Sequence, residues 1–215
     1  MAEGGRAREL AALAEPIQAG LASAHAAREI GLAAARRTIR ASGLSIRAVH
    51  RAQADVAAER RAEARAALAE AHEALAPHPA IAHAGFLHDA EKEYAEAELT
   101  AALVDSQPLP SAADLGVTGP AWCNGLAEAA SELRRHLLDR LRAGDLADGE
   151  RLLGAMDDVY DLLVTVDYPD AITGGLRRTT DALRAVLERT RSDLTLTLVQ
   201  SRLHAALDQQ ATGLS

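Results

Sequence analysis

The fold is decided by alanine- and leucine-rich stretches that carry paired glutamates, such as Gly125-Leu126-Ala127-Glu128-Ala129-Ala130-Ser131-Glu132-Leu133. An upstream stretch, Lys92-Glu93-Tyr94-Ala95-Glu96-Ala97, has a similar pattern. Residues three or four apart lie on the same face of a helix, so each stretch presents its two glutamates from one face. The two stretches predict acidic faces on two helices.

The composition predicts an all-α fold. Only 2% of the 215 residues are aromatic, whereas sheets favour aromatic and β-branched residues. Helical periodicity covers roughly residues 6–76, 80–104, 120–144, 146–166 and 175–210, with a short helix at 111–115. No flexible linker divides the chain, so we expect one domain over residues 1–215, with 1–23 and 210–215 as candidate disordered ends.

Several classes of protein are disfavoured by the sequence. Cys123 is the only cysteine, which excludes an internal disulfide. No apolar run approaches the ~20 residues that a membrane span needs, and the N-terminal residues lack the apolar core of a signal peptide. We therefore expect a soluble, cytoplasmic protein.

Charge is distributed unevenly along the chain. The net charge is −8, yet residues 28–66 hold nine arginines and four acidic residues, a local charge of +5. A basic segment on an otherwise acidic chain favours a polyanionic partner.

Six arginines of this segment fall on one side of a helical wheel if a single helix continues through Gly43. This basic stripe would be roughly 44 Å long, a length that suits a nucleic-acid backbone. Because the segment has no aromatic residue on which bases could stack, recognition would be weakly sequence-specific. A solvated face paired with neighbouring acidic residues is the structural alternative. The stripe consists of Arg36, Arg40, Arg47, Arg51, Arg61 and Arg65.

The four glutamates have two interpretations. One Glu-x-x-Glu pair is usually a solvated helix surface, but two pairs beside a basic stripe favour a site for a divalent cation. Mg²⁺ and Mn²⁺ prefer carboxylate oxygens, and either ion can stabilise charge on a phosphodiester.

The order and spacing of several motifs resemble the translin family, specifically its translin-associated factor X branch, over about residues 24–205. The motifs are Ser45-Ile46-Arg47-Ala48-Val49-His50-Arg51, Glu93-Tyr94-Ala95-Glu96-Ala97, the run from Gly125 to Arg135, Tyr160-Asp161-Leu162-Leu163 and Asp167-Tyr168-Pro169-Asp170. The last two are similar to prokaryotic members. The resemblance implies a bundle of about seven helices, several of them long, counting the short helix and a break in the first. It also implies that the bundle assembles into a closed homo-oligomeric shell, commonly an octamer.

The resemblance also implies a function. RNA or single-stranded DNA would bind basic residues, for which we predict Arg36, Arg37, Arg40, Arg47, His50 and Arg51. In the factor X branch the acidic helices form a Mg²⁺-dependent endoribonuclease site, which predicts Glu93, Glu96, Glu128 and Glu132 as catalytic metal ligands, with Mn²⁺ as a second candidate ion. Glu128 stands where the factor X pattern has aspartate. Two alternatives stay open: a non-catalytic nucleic-acid-binding shell, and a structural bundle that binds proteins.

Overall fold

The protein is all-α, as predicted. The computed structural model describes residues 3–82 and 85–213, and these residues form helices and no strand. The helices are α1 (Glu3–His50), α2 (Ala54–Leu75), α3 (Pro79–Ala82), α4 (Phe86–Val104), α5 (Ala112–Leu115), α6 (Gly119–Arg142), α7 (Leu146–Val164), α8 (Asp170–Thr173) and α9 (Leu176–Gly213). The described residues thus form nine helices rather than about seven, because two single-turn helices, α3 and α8, add to the predicted short helix α5.

The helix predicted for residues 6–76 is broken after His50. The amide of Gln53 donates to the Ala48 carbonyl and that of Ala52 to the Val49 carbonyl, the paired bonds of a Schellman motif. Ala52 has a φ of 55°, a conformation that usually selects glycine. Gly43, by contrast, lies inside α1. Neither glycine nor proline marks the break, so the sequence pattern did not reveal it.

Helices α1 and α2 form an antiparallel hairpin. Near the turn, the Ser45 hydroxyl donates to the Ala57 carbonyl at 3.0 Å. At the far end, a β-carbon on Gly31 would lie 2.8 Å from a Leu75 side-chain carbon. The tight packing between these points is made by small buried residues, and it directs the C-terminal half of α1 towards α4 and α6.

The core lies where α4, α6, α7 and α9 pack together. Tyr94, Leu126, Leu133, Met156 and Leu183 are fully buried there. Fully burying one such apolar side chain contributes roughly 1.5–3 kcal/mol, so this core holds α4 and α6 rigidly against each other.

The ends of the long terminal helices lie at the surface. Residues 3–23 belong to α1 and residues 210–213 to α9, whereas residues 1–2 and 214–215 are outside the described part of the chain. The single-domain arrangement and the disordered ends stay predictions. Among the described helices, none is both long enough and apolar enough to span a membrane.

Candidate metal centre and nucleic-acid surface

Helices α4 and α6 touch at Gly125. A β-carbon at this position would lie 2.8 Å from the Lys92 carbonyl oxygen and 2.9 Å from the Glu96 amide nitrogen. Non-bonded atoms do not approach so closely, so the absence of a side chain permits this contact. The close approach sets the acidic turn of α6 beside the acidic turn of α4.

Three glutamates meet at this contact. One carboxylate oxygen from each of Glu93, Glu96 and Glu128 lies within 4.8 Å of the other two. Glu96 is only 8% exposed, while Glu93 and Glu128 are partly exposed. The structure therefore brings together three of the four predicted metal ligands, and we call these three residues the glutamate cluster.

Burial and mutual repulsion raise the pKa values of two carboxyl groups in the glutamate cluster. Burial, together with repulsion from Glu128, Glu93 and Glu132, raises the pKa of Glu96 to about 9. Burial also raises the pKa of Glu93 and outweighs the attraction of Lys92, and repulsion from Glu128 adds to the increase. The raised pKa favours a proton on the Glu96 carboxyl, which an added cation would displace.

Lys92 is the positive charge nearest to the cluster. Its Nζ donates to both oxygens of Glu128, at 2.8 and 2.7 Å, and lies 3.5 Å from Glu93 Oε1. Although burial opposes the charged form, the hydrogen bonds and attraction to Glu128 raise the pKa of Lys92. Sequence analysis did not identify this residue, because its contact with Glu128 depends on how α4 packs against α6.

Glu132 lies outside the cluster and contacts α1 instead. Its Oε2 is 2.5 Å from Nε2 of His50, whose side chain is 4% exposed. The hydrogen bond from His50 lowers the pKa of Glu132 and outweighs burial. The role of Glu132 as a metal ligand stays a prediction, and so does the contact of His50 with nucleic acid. The structure shows that the side chains of Glu132 and His50 form a hydrogen bond with each other.

The predicted continuous basic stripe is wrong, because the break after His50 separates its arginines. Arg61 and Arg65 lie on α2 and form ion pairs with Glu98 at 3.0 and 3.1 Å. Arg65 also donates to the hydroxyl of Tyr94 at 2.7 Å, and that hydroxyl donates to Glu98. These two arginines therefore help to dock α2 on α4.

The remaining predicted arginines are exposed near the C-terminal end of α1. Arg37 pairs with Glu70, and the other four form no ion pair or hydrogen bond with any described side chain: Arg36, Arg40, Arg47 and Arg51. Arg47 and Arg51 flank His50, which contacts Glu132. A cationic surface thus adjoins the acidic turn of α6.

This architecture also occurs in solved structures. The chain matches the structure of AfC3PO, an archaeal translin-family protein, in complex with duplex RNA, with a TM-score of 0.80 and 32% sequence identity, over 86% of this chain and 96% of that chain. The chain belongs to the translin family. A second AfC3PO structure matches at a TM-score of 0.79 with the same identity, over 86% of this chain and 97% of that one.

More distant comparisons agree with the fold of this translin-family chain. The apo form of NeC3PO has a TM-score of 0.71 at 20% identity, over 87% of this chain and 96% of that chain. An uncharacterized protein of Methanocaldococcus jannaschii is 30% identical over 132 residues, which span 61% of this chain and 59% of that protein. No family model matches the sequence.

Proposed function

We propose that this translin-family chain binds RNA and single-stranded DNA and cleaves RNA as a divalent-metal-dependent endoribonuclease. The observation that carries the proposal is the convergence of Glu93, Glu96 and Glu128 within 4.8 Å at the α4–α6 contact. Glu96 is only 8% exposed, and burying a carboxylate beside two others destabilises a fold unless a proton or a cation compensates the charge.

The glutamate cluster fits a hard divalent cation. Its donors are carboxylate oxygens, which Mg²⁺ and Mn²⁺ prefer, and its repulsion, evident in the raised pKa of Glu96, would be relieved by positive charge. When bound, such an ion supplies charge stabilisation for a phosphodiester and activates water.

The chain's own residues prepare this centre. Lys92 neutralises the Glu128 carboxylate through two hydrogen bonds, so it compensates the cluster until a cation replaces its ammonium. His50 fixes Glu132 one turn along α6, and the pair can hold a proton between Nε2 and Oε2. Gly125 keeps the two acidic turns at contact distance.

Nucleic acid would lie on the α1 arginines. Arg36, Arg40, Arg47 and Arg51 are exposed without partners among the described residues, and phosphate groups would supply those partners. The duplex-RNA complex of the similar AfC3PO supports RNA as the partner. Because the arginines adjoin His50, a bound backbone would pass near α6.

The direct test is cleavage of labelled single-stranded RNA with Mg²⁺ or Mn²⁺. We expect cleavage by the unaltered protein, and none with EDTA or in the Glu93→Ala variant. Activity that persists in Glu93→Ala would refute the assignment of the cluster.

Binding is tested separately, in EDTA, by reversing charge at Arg36, Arg40, Arg47 and Arg51. We expect weaker RNA binding and a shallower salt dependence, since each lost phosphate contact reduces the slope by about one. Reversal of four arginines exposed on α9 is the matched control: Arg178, Arg184, Arg189 and Arg202. Equal losses in both variants would contradict a specific α1 surface, and no RNA affinity at all would favour a protein-binding bundle.

A non-catalytic RNA-binding protein is the second candidate. The observation in its favour is Lys92, whose ammonium already neutralises Glu128 through both carboxylate oxygens. RNA binding without cleavage under either metal ion would select this function over the first.

We also propose that the chain self-associates, as a closed shell requires. The N-terminal part of α1 exposes Leu10, Leu13, Ile17 and Leu21, and the C-terminal part of α9 exposes Leu196, Val199, Leu203 and Leu207. Both sets have the three- and four-residue spacing of a helix-packing seam. Light scattering should give a mass of several protomers; a monomer at micromolar concentration would contradict self-association.

A further inference from the structure

A cavity of about 450 Å³ lies further along α4 and α6, towards their C-terminal ends, than the glutamate cluster. It opens between the α1–α2 turn, the C-terminal end of α4, and the facing sides of α6 and α7. Apolar side chains such as Val49, Val104 and Leu152 form part of its wall. Its polar lining includes two carboxylates, Asp105 and Asp148, together with Gln53, Arg61, His136, Arg140 and Arg151.

The three arginines of the cavity differ in their ion pairs and hydrogen bonds. Arg61 pairs with Glu98 at 3.0 Å. Arg151 pairs with Asp148 at 2.6 Å and donates to the carbonyls of Leu103 and Val104. Arg140 has only a long ion pair of 3.7 Å with Asp148 and no hydrogen bond to any described residue. Its guanidinium therefore has donors available for a ligand.

His136 supplies a second unsatisfied group at the same wall. It lies one turn before Arg140 on α6, lines the cavity and is only 9% exposed. Its Nε2 is buried and has no hydrogen-bond partner among the described residues. Leaving a buried polar atom unpaired costs about 1–3 kcal/mol, so such an atom calls for an explanation.

We propose that this cavity binds a small phosphate monoester, with Arg140 and His136 as its principal ligands. Arginine recognises phosphate through parallel N–H donors, and a phosphate oxygen or hydroxyl would satisfy His136 Nε2. Arg151, held in place by Asp148 and two carbonyls, adds fixed positive charge. Asp105 and Gln53 suit hydroxyl or N–H donors of the remaining part of the ligand, and the volume suits a mononucleotide.

This site is separate from the glutamate cluster but not remote from it. The rings of His136 and His50 lie 5.0 Å apart, centroid to centroid, and His50 contacts Glu132. The side chains of His136 and His50 would thus lie between the proposed ligand and Glu132. The proposal does not depend on metal binding or on RNA cleavage.

The test is calorimetric titration of the full chain with adenosine 5′-monophosphate in EDTA, which prevents metal-mediated binding at the glutamate cluster. We expect saturable binding with one site per chain, and no binding of adenosine, which lacks the phosphate. Arg140→Gln should weaken binding at least tenfold. The matched control is Arg142→Gln, because Arg142 is exposed on the same helix and does not line the cavity.

Failure to bind the nucleotide at millimolar concentration would overturn the proposal, as would equal weakening by Arg140→Gln and Arg142→Gln. Arg140 is exposed, so its variant should fold; unchanged thermal unfolding verifies this. His136→Gln, which retains a polar group of similar reach, should also weaken binding, and undiminished affinity would remove His136 from the site. Competition by a 5′-phosphorylated RNA oligonucleotide, but not by its 5′-hydroxyl form, would identify an RNA end as the phosphate source; competition by neither would identify a free mononucleotide.

Discussion

Glu128 and Glu132 lie one turn apart on α6, yet the fold gives them different partners. Glu128 faces α4, where it joins Glu93 and Glu96 and receives two hydrogen bonds from Lys92. Glu132 faces α1, where a buried histidine holds it at 2.5 Å. Equal spacing along a helix therefore does not imply equal chemistry. The neighbouring helix decides which carboxylate is available to a cation.

The largest expected effect comes from removing the charge of Glu128. Glu128→Gln should abolish measurable metal-dependent RNA cleavage, because one of three converging oxygen ligands loses its charge. Glu132→Gln should cost about 10- to 100-fold in activity or metal affinity, the range typical of groups that orient ligands. Cleavage rates and Mn²⁺ titrations of both variants provide the measurement.

The opposite ranking would contradict this comparison. If Glu132→Gln abolished cleavage and Glu128→Gln left it largely intact, Glu132 would be a metal ligand and Lys92 would be the permanent partner of Glu128. Circular dichroism of each variant shows whether either loss reflects unfolding.

A smaller effect is expected from adding one methyl group at the helix contact. In Gly125→Ala the new β-carbon would meet the Lys92 carbonyl and the Glu96 amide, so α4 and α6 must separate. Overpacking of this kind costs typically about 1–3 kcal/mol in the free energy of unfolding. Metal affinity should fall with it, because Glu128 moves away from Glu93 and Glu96.

Gly154→Ala is the control for helix propensity, since a β-carbon at Gly154 in α7 meets no atom within 4 Å. That variant should keep its metal affinity and become no less stable, because alanine favours a helix interior over glycine. Unchanged metal affinity in Gly125→Ala would show that the α4–α6 distance does not control the cluster.

Some features of the fold and of the site could be predicted from the sequence, and the others could not for physical reasons. The all-α fold and the acidic faces were predictable, because helical spacing alone places Glu93 with Glu96 and Glu128 with Glu132. The break after His50 was not, since Ala52 adopts a left-handed conformation without the usual glycine. For that reason the helical wheel places Arg61 and Arg65 on the basic stripe, although in the structure they pair with Glu98 on α4. The role of Lys92 was missed because it depends on an interhelical contact.

Lys92 offers a way to increase metal affinity. In Lys92→Met the ammonium no longer competes for Glu128, so Mn²⁺ should bind several-fold more tightly, while the metal-free protein should unfold more easily because repulsion in the cluster is uncompensated. Arg135→Met is the contrasting variant, since Arg135 acts electrostatically on Glu132. It should change Mn²⁺ affinity little. Weaker Mn²⁺ binding in Lys92→Met would mean that the lysine positions Glu128 rather than competing for it.

A dependence of stability on pH should distinguish the two acidic sites. The pKa of Glu96 is raised from 4.5 to about 9, so between these values the folded protein holds a proton that the unfolded chain releases. The free energy of unfolding should therefore decrease as pH rises through this window. Glu132 has a lowered pKa, so its contribution is present at neutral pH and is lost only in acid.

Urea unfolding in EDTA between about pH 7 and pH 8 tests the contribution of Glu96, because a lowered pKa keeps His136 neutral in that range and burial raises the pKa of Cys123. We expect the unfolding midpoint to fall with pH in the unaltered protein and to vary less in Glu96→Gln, which retains an uncharged side chain of the same length. Saturating Mn²⁺ should also remove the decline, since the cation replaces the proton. Glu132→Gln should leave the slope unchanged; an equal slope in the unaltered and Glu96→Gln proteins would show that Glu96 is ionised at neutral pH and that Lys92 already compensates the cluster.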